Sequence, residues 1–275
     1  MVFPENTDIL GSQNCPESAS LPALPAMVYF VGAGSGDPEL LTIKAQKLLQ
    51  QADVVLFADS LIPPVILEWA RPDAEILRSA DKSLEEILDY LIVRVRAGRS
   101  VVRLQSGDPS LYSAIHEQMQ ALAAAEIPFE VIPGISAFQA AAAELKLELT
   151  VPELVQTVIL TRISGRTAVP EAEELAGLAA HQASLCLYLS ARHVESAQDK
   201  LLLHYPADTP VAVCFRVGWP DQRFWVVPLS NMAALTQQEQ LVRTTLYIVS
   251  PALQADSQAR SRLYDSTHRR LFRPD

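Results

Sequence analysis

Val101-Val102-Arg103-Leu104-Gln105-Ser106-Gly107-Asp108-Pro109-Ser110-Leu111-Tyr112 runs from an apolar strand through a Ser-Gly-Asp turn toward a helix. Gly107 allows a backbone to approach a ligand closely. Asp108 can cap a helix start or accept a hydrogen bond from a ligand, and Pro109 fits a first helical turn, where its missing N–H costs nothing. Two further junctions share the pattern, Val31-Gly32-Ala33-Gly34-Ser35-Gly36-Asp37-Pro38 and Val131-Ile132-Pro133-Gly134-Ile135-Ser136-Ala137. Three glycine-bearing strand ends point to one shared cleft.

Working outward, short β-rich runs alternate with longer segments of helical period, which is α/β architecture. In the first half the pattern predicts strands at Met27–Val31, Val54–Phe57, Glu75–Leu77, Ser100–Leu104 and Phe129–Ile132. Helices are expected at Pro38–Gln51, Pro63–Ala70, Ser83–Ala97, Pro109–Ala125 and Ser136–Leu147. Asp37-Pro38 repeats Asp108-Pro109, so both helices are expected to open on an acidic N-cap followed by proline.

After Thr150-Val151-Pro152 the pattern restarts, with strands at Thr157–Arg162, Ser184–Leu189, Val211–Phe215, Arg223–Val227 and Thr245–Val249, and helices at Glu171–Ala180, Val194–Tyr205 and Asn231–Gln240. Only seven residues separate the third and fourth of these strands, which reads as an antiparallel hairpin. The expectation is two α/β subdomains, 27–150 with a mostly parallel sheet and 151–253 with a mixed sheet, and a small-molecule cleft between them. Residues 1–26, with four prolines, read as a flexible extension lacking the features of a signal or transit peptide, and 254–275 as a tail.

Composition narrows the function. The chain has 275 residues, 49% of them hydrophobic, enough to bury a full core, yet no apolar run reaches the ~18–20 residues of a membrane span. A formal charge of −10 argues against a nucleic-acid partner. Cys15, Cys186 and Cys214 have no CxxC spacing, which points to a reducing cytoplasm, and the five histidines show no metal-ligand spacing, so no protein-bound metal is expected. The Gly32-Ala33-Gly34-Ser35-Gly36-Asp37 loop fails the dinucleotide fingerprint at its third glycine, where Asp37 would face a pyrophosphate, and it lacks the lysine of a nucleoside-triphosphate loop.

The glycine loop continued to Thr42, the Arg103–Tyr112 segment and Pro133–Ala137, in this order and spacing, resemble the tetrapyrrole methyltransferase family over about residues 27–253. Phe57–Ile62, Thr161–Thr167, Gly218–Asp221 and Arg243–Leu246 resemble its branch acting on C11 of precorrin-4 or cobalt-precorrin-4. Two positions depart from the family pattern: Ser35 stands where proline is usual, and Gly218 where serine is usual before Trp-Pro-Asp. Other tetrapyrrole methylases, or a carrier module without turnover, are the competing readings.

The resemblance implies S-adenosyl-L-methionine as co-substrate, a precorrin as substrate and a homodimer. It implies cofactor contacts from Ser35, Ser106, Gly107, Asp108, Leu111, Ser136, Ala137, Leu189, Val217, Thr245 and Leu246. For Leu189 and Leu246 ordinary core packing is the alternative. Asp59 matches a proton acceptor of related enzymes and equally fits a turn-capping acid, with Lys82 a weaker candidate acid. Gly34 and Gly36 would approach the substrate. Because precorrins carry acetates and propionates around their rim, arginines should gather at the cleft mouth. Arg162 and Arg166, around Gly165, are the expected pair, with Arg103, Arg192, Arg216 and Arg243 as further contributors.

Overall fold

The computed structural model describes residues 23–165 and 167–254. Cys15, Arg166, His268 and all but four residues of the expected N-terminal extension lie outside them, as does the tail after Gln254.

Two five-stranded sheets divide the chain. The first holds β1 (Val28–Gly32), β2 (Val54–Phe57), β3 (Glu75–Arg78), β4 (Val101–Gln105) and β5 (Phe129–Ile132) in the order β3-β2-β4-β1-β5. Every pairing is parallel. Parallel strands are covered on both faces, which is why β1, β2 and β4 are buried at every position; β1 and β2 read as near-continuous apolar runs, and β4 is interrupted by Arg103 and Gln105.

Helix α1 (Ile43–Leu49) packs on one face, and α2 (Leu84–Arg96) and α3 (Ile115–Ala124) on the other. In α2, Ser83 and Glu86 form a reciprocal capping box, and Ile87, Leu91 and Val95 recur every four residues to bury one stripe. Helix α4 (Ala137–Glu144) leads out of the first half.

The second sheet holds β6 (Val158–Arg162), β7 (Ser184–Tyr188), β8 (Pro210–Phe215), β9 (Arg223–Pro228) and β10 (Thr245–Val249) in the order β6-β7-β10-β8-β9. Only β6 and β7 are parallel; β8 and β9 form the expected antiparallel hairpin. Helices α5 (Leu175–Ala179), α6 (Val194–Leu202) and α7 (Met232–Gln238) cover one face, and α4 with its three buried alanines packs on the other, joining the halves.

Four expected helices are shorter or tighter. Pro38–Gln51 breaks into a 3-10 turn at Pro38–Leu40, capped by Asp37, and α1, because the Thr42 hydroxyl accepts the Ala45 N–H and starts a new helix. Pro64–Trp69 is 3-10 throughout, and a 3-10 turn at Glu171–Glu173 precedes α5. The segment after Pro109 stays irregular until Ile115.

Candidate functional site

The three glycine-bearing junctions meet at the carboxyl ends of β1, β4 and β5, where open parallel sheets bind ligands. Gly107 donates its N–H to the Gly34 carbonyl at 2.7 Å and accepts from Gly34 at 3.3 Å. Gly134 lies so close that an added Cβ would overlap the Gly107 carbonyl oxygen and sit 2.8 Å from the Gly32 α-carbon. Only backbone fits between these turns.

Asp108 locks this arrangement, in a way the sequence pattern did not indicate. One carboxylate oxygen accepts the Ser110 N–H at 2.8 Å and the Ser110 hydroxyl; the other accepts the Gly134 N–H at 2.8 Å. Burial pushes its acidity down, but the hydrogen bonds from Ser110 and Gly134 outweigh burial and hold the carboxyl below the usual aspartate range. Asp108 is therefore not the expected helix cap. With its carboxylate drawn back onto the turns, residues 109–114 form a loop in which Tyr112 and Ala114 have positive φ, and α3 starts only afterwards.

That loop, the turns and the second sheet enclose a cleft of about 630 Å³. Ser35, Ser106, Gly107, Asp108, Leu111, Ser136, Ala137, Leu189, Val217, Thr245 and Leu246 all line it. Leu189 is 66% exposed and held at φ 54°, so it is no core residue; Leu246 is buried yet still faces the cleft. An apolar wall of Leu189, Val217 and Leu246 opposite small Ala137 suits a flat heterocycle, while Ser106, Ser136 and Thr245 offer hydroxyls.

Tyr188 was not anticipated. Its hydroxyl shares a 2.9 Å hydrogen bond with the Ser136 hydroxyl and accepts the Phe138 N–H at 3.1 Å, tying β7 to the start of α4 across the cleft. Burial pushes it up to about 12, so it stays protonated. The Tyr112 ring packs 5.4 Å from it. A tyrosine closing an apolar strand one residue before Leu189 was the available signal.

Other expected residues fall elsewhere. Asp59 is exposed, outside the cleft lining, beside Ala58 and Leu61, which do line it. Gly34 serves the Gly107 bridge, and Gly36 packs against the Trp219 ring. Arg162 does not line the cleft: its guanidinium donates to the Thr167 and Ala168 carbonyls at 2.8 and 3.2 Å, holding its own loop. Arg216 stacks 4.1 Å from the Trp219 ring and pairs with Asp221, and Lys82 pairs with Asp81. Arg103, Arg192 and Arg243 do line the cleft.

The family profile of tetrapyrrole (corrin/porphyrin) methylases matches residues 27–233. The chain is 44% identical to precorrin-4 C(11)-methyltransferase of Pseudomonas aeruginosa over 247 residues, covering 90% of this chain and 98% of that one. It is 42% identical to cobalt-precorrin-4 C(11)-methyltransferase of Methanocaldococcus jannaschii, covering 90% and 95%. A solved cobalt precorrin-4 methyltransferase superposes with a TM-score of 0.80 at 40% identity, covering 83% of this chain and 96% of its own. The uroporphyrin-III C-methyltransferase of Thermus thermophilus complexed with S-adenosylhomocysteine gives 0.68 at 29% identity, covering 83% and 99%. No helix among the described residues is long and apolar enough to cross a membrane. The chain belongs to the tetrapyrrole (corrin/porphyrin) methylase family.

Proposed function

We propose that this protein transfers a methyl group from S-adenosylmethionine to C11 of precorrin-4 or cobalt-precorrin-4. The observation that carries the reading is the single cleft that gathers all eleven expected cofactor contacts, in a chain more than 40% identical over nine-tenths of its length to C11-methyltransferases.

The cleft's chemistry suits the cofactor. Ser106, Ser136 and Thr245 would hold its polar groups, and Ala137, Leu189, Val217 and Leu246 its flat base. Bound there, S-adenosylmethionine supplies an electrophilic methyl group. The protein has little acid–base work to do, because the acceptor is an electron-rich ring carbon. Its main task is positioning, and oriented intramolecular reactions gain about 7–11 kcal/mol from it. The Asp108 lock and the Tyr188 tie hold the cleft walls in place for that task. Asp59, exposed beside the lining residues Ala58 and Leu61, is the proposed acceptor of the proton released after methylation, in competition with water.

We further propose that the enzyme is a homodimer, as the family implies, and works in the cytoplasm; the free, buried thiols of Cys186 and Cys214 agree with a reducing compartment. Light scattering on the purified protein tests the first point, and a 30 kDa monomer at micromolar concentration would exclude it. The functional test is incubation with S-adenosylmethionine and either precorrin-4 or cobalt-precorrin-4, followed by NMR of the product. A methyl group at C11 is expected. A methyl group at another carbon, or turnover only with uroporphyrinogen III, assigns a different member of the family. Stoichiometric substrate binding without transfer assigns a carrier.

A further inference from the structure

Arg103 and Gln105 are two residues apart on β4, so their side chains leave the same face of the sheet. Lower on that face Val101 packs against the apolar stripe of α2 and against Leu122 of α3. At the carboxyl end this cover gives way to the cleft, which both side chains line. Arg103 is 6% exposed and Gln105 7%. Among the described residues the sole side-chain partner of Arg103 is the Ser79 hydroxyl, 2.8 Å from Nη1; its Nε and Gln105 Nε2 have none there. Arg103 takes part in none of the ion pairs among the described residues.

A buried guanidinium without an anion is costly, and its pKa shows the strain: burial lowers it to about 10. The other arginines lining the cleft, Arg192 and Arg243, are exposed and solvated. A charge kept dry and unpaired beside a second unpaired donor is complementary to an oxyanion that arrives with a ligand.

Resting on the methylase reading above, we propose that Arg103 and Gln105 form the buried anchor for one rim carboxylate of the tetrapyrrole and so fix which ring carbon faces the methyl donor. Two ligand carboxylates are available, one on the tetrapyrrole rim and one on the methionyl arm of the cofactor. Position favours the first. Arg103 reaches toward Ser79, after β3, on the far side of β2 from β1 and β5, whereas Ser136, Ala137 and the second-sheet residues lie on the β5 side. A macrocycle built of similar pyrrole units presents similar edges at the cleft mouth, where exposed arginines bind any of them. Only an interior contact distinguishes one rotation from the next.

The test uses Arg103→Met and Arg103→Lys in the full-length chain, with three readouts. First, S-adenosylhomocysteine affinity by calorimetry should stay within about twofold of wild type in both variants, since the anchor is not a cofactor contact. Second, KM for cobalt-precorrin-4 should rise at least about 30-fold in Arg103→Met, with partial recovery in Arg103→Lys, which keeps the charge and loses the fork, and part of the product methyl should move to another carbon by NMR. Third, the melting temperature of the unliganded Arg103→Met protein should hold or rise, because an uncompensated buried charge has been removed. A tenfold loss of cofactor affinity with unchanged KM would give the guanidinium to the methionyl carboxylate and overturn the proposal. So would a melting temperature several degrees lower, or unchanged KM and regiochemistry. Failure of the wild-type protein to bind S-adenosylhomocysteine would instead remove the methylase reading itself.

Discussion

Gly218 lies against Ser35: a Cβ at position 218 would sit 2.8 Å from the Ser35 hydroxyl oxygen and 2.8 Å from the Asp37 nitrogen, at a φ of +79°. The two positions that the sequence reading marks as departures from the family's motifs therefore share one small volume. Ser35 is also less remote from the Gly107 turn than its place in the loop implies, since it lines the cleft and its neighbour Gly34 bonds to Gly107. Gly218→Ser is expected to lower stability by about 1–3 kcal/mol through backbone strain and crowding. Adding Ser35→Ala should restore part of the loss, a coupling of about 0.5 kcal/mol or more in a double-mutant cycle by urea denaturation. Strict additivity would mean that the two residues do not compete for space.

The glycines at the convergence of the three turns are required for different reasons. At Gly107 a Cβ would meet Ser136 at 3.6 Å, ordinary contact, so the cost lies in its φ of +68°. At Gly134 the cost is overlap with the backbone of Gly107 and Gly32. Gly107→Ala should cost about 1 kcal/mol and weaken S-adenosylhomocysteine binding several-fold, as expected for one strained residue. Gly107→Val, with branching at Cβ, should abolish that binding. Gly134→Ala should cost more than Gly107→Ala, about 1–3 kcal/mol as for other overpacking, because three strand ends must separate. Equal losses for the two alanine variants in calorimetry and urea melts would contradict this division.

Asp108 makes the lock titratable. Its carboxyl is held below the ordinary range in the folded protein, so its stabilisation is present in full above the unfolded pKa of about 3.9 and is lost as pH falls through the lower folded value. Asp108→Asn leaves at least one N–H facing the wrong atom and should cost about 1–3 kcal/mol at pH 7. The difference between wild type and variant should be flat from pH 7 to pH 5 and narrow below about pH 4. A difference that widens on acidification would show the wrong sign for this role.

Asp59 is exposed at the rim, where water reaches it. Positioned general bases contribute about 10²–10⁴-fold. For Asp59→Asn the expected loss in kcat is under about tenfold, since water can take the proton in its place. A loss of a hundredfold or more with unchanged KM would make Asp59 an essential base.

The fold was legible where burial leaves a continuous signature. The short apolar runs of β1 and β2, bounded by glycine and turn residues, read as strands covered on both sides, and the spacing of β8 and β9 gave their hairpin. Pro109 misled because a proline after an aspartate fits a helix start and a ligand turn equally well. The distant Gly134 N–H decided between them. The arginines misled similarly. Arg162 beside Gly165 looks available, yet its own loop carbonyls occupy it. Arg103 sits between Val102 and Leu104, and a lone charge inside a fully buried strand was the stronger signal.

Strand β10, the last in the sequence, occupies the centre of the second sheet, between β7 and β8. Before it is made, the native pairings open to the four earlier strands are β6 with β7 and β8 with β9, each pair with an open edge facing the gap. The second half therefore closes only after Thr245–Val249 has left the ribosome, and contacts of such long sequence separation form slowly. Chains ending before residue 245 would present two unpaired edges at once, making premature termination in this gene a direct route to aggregation.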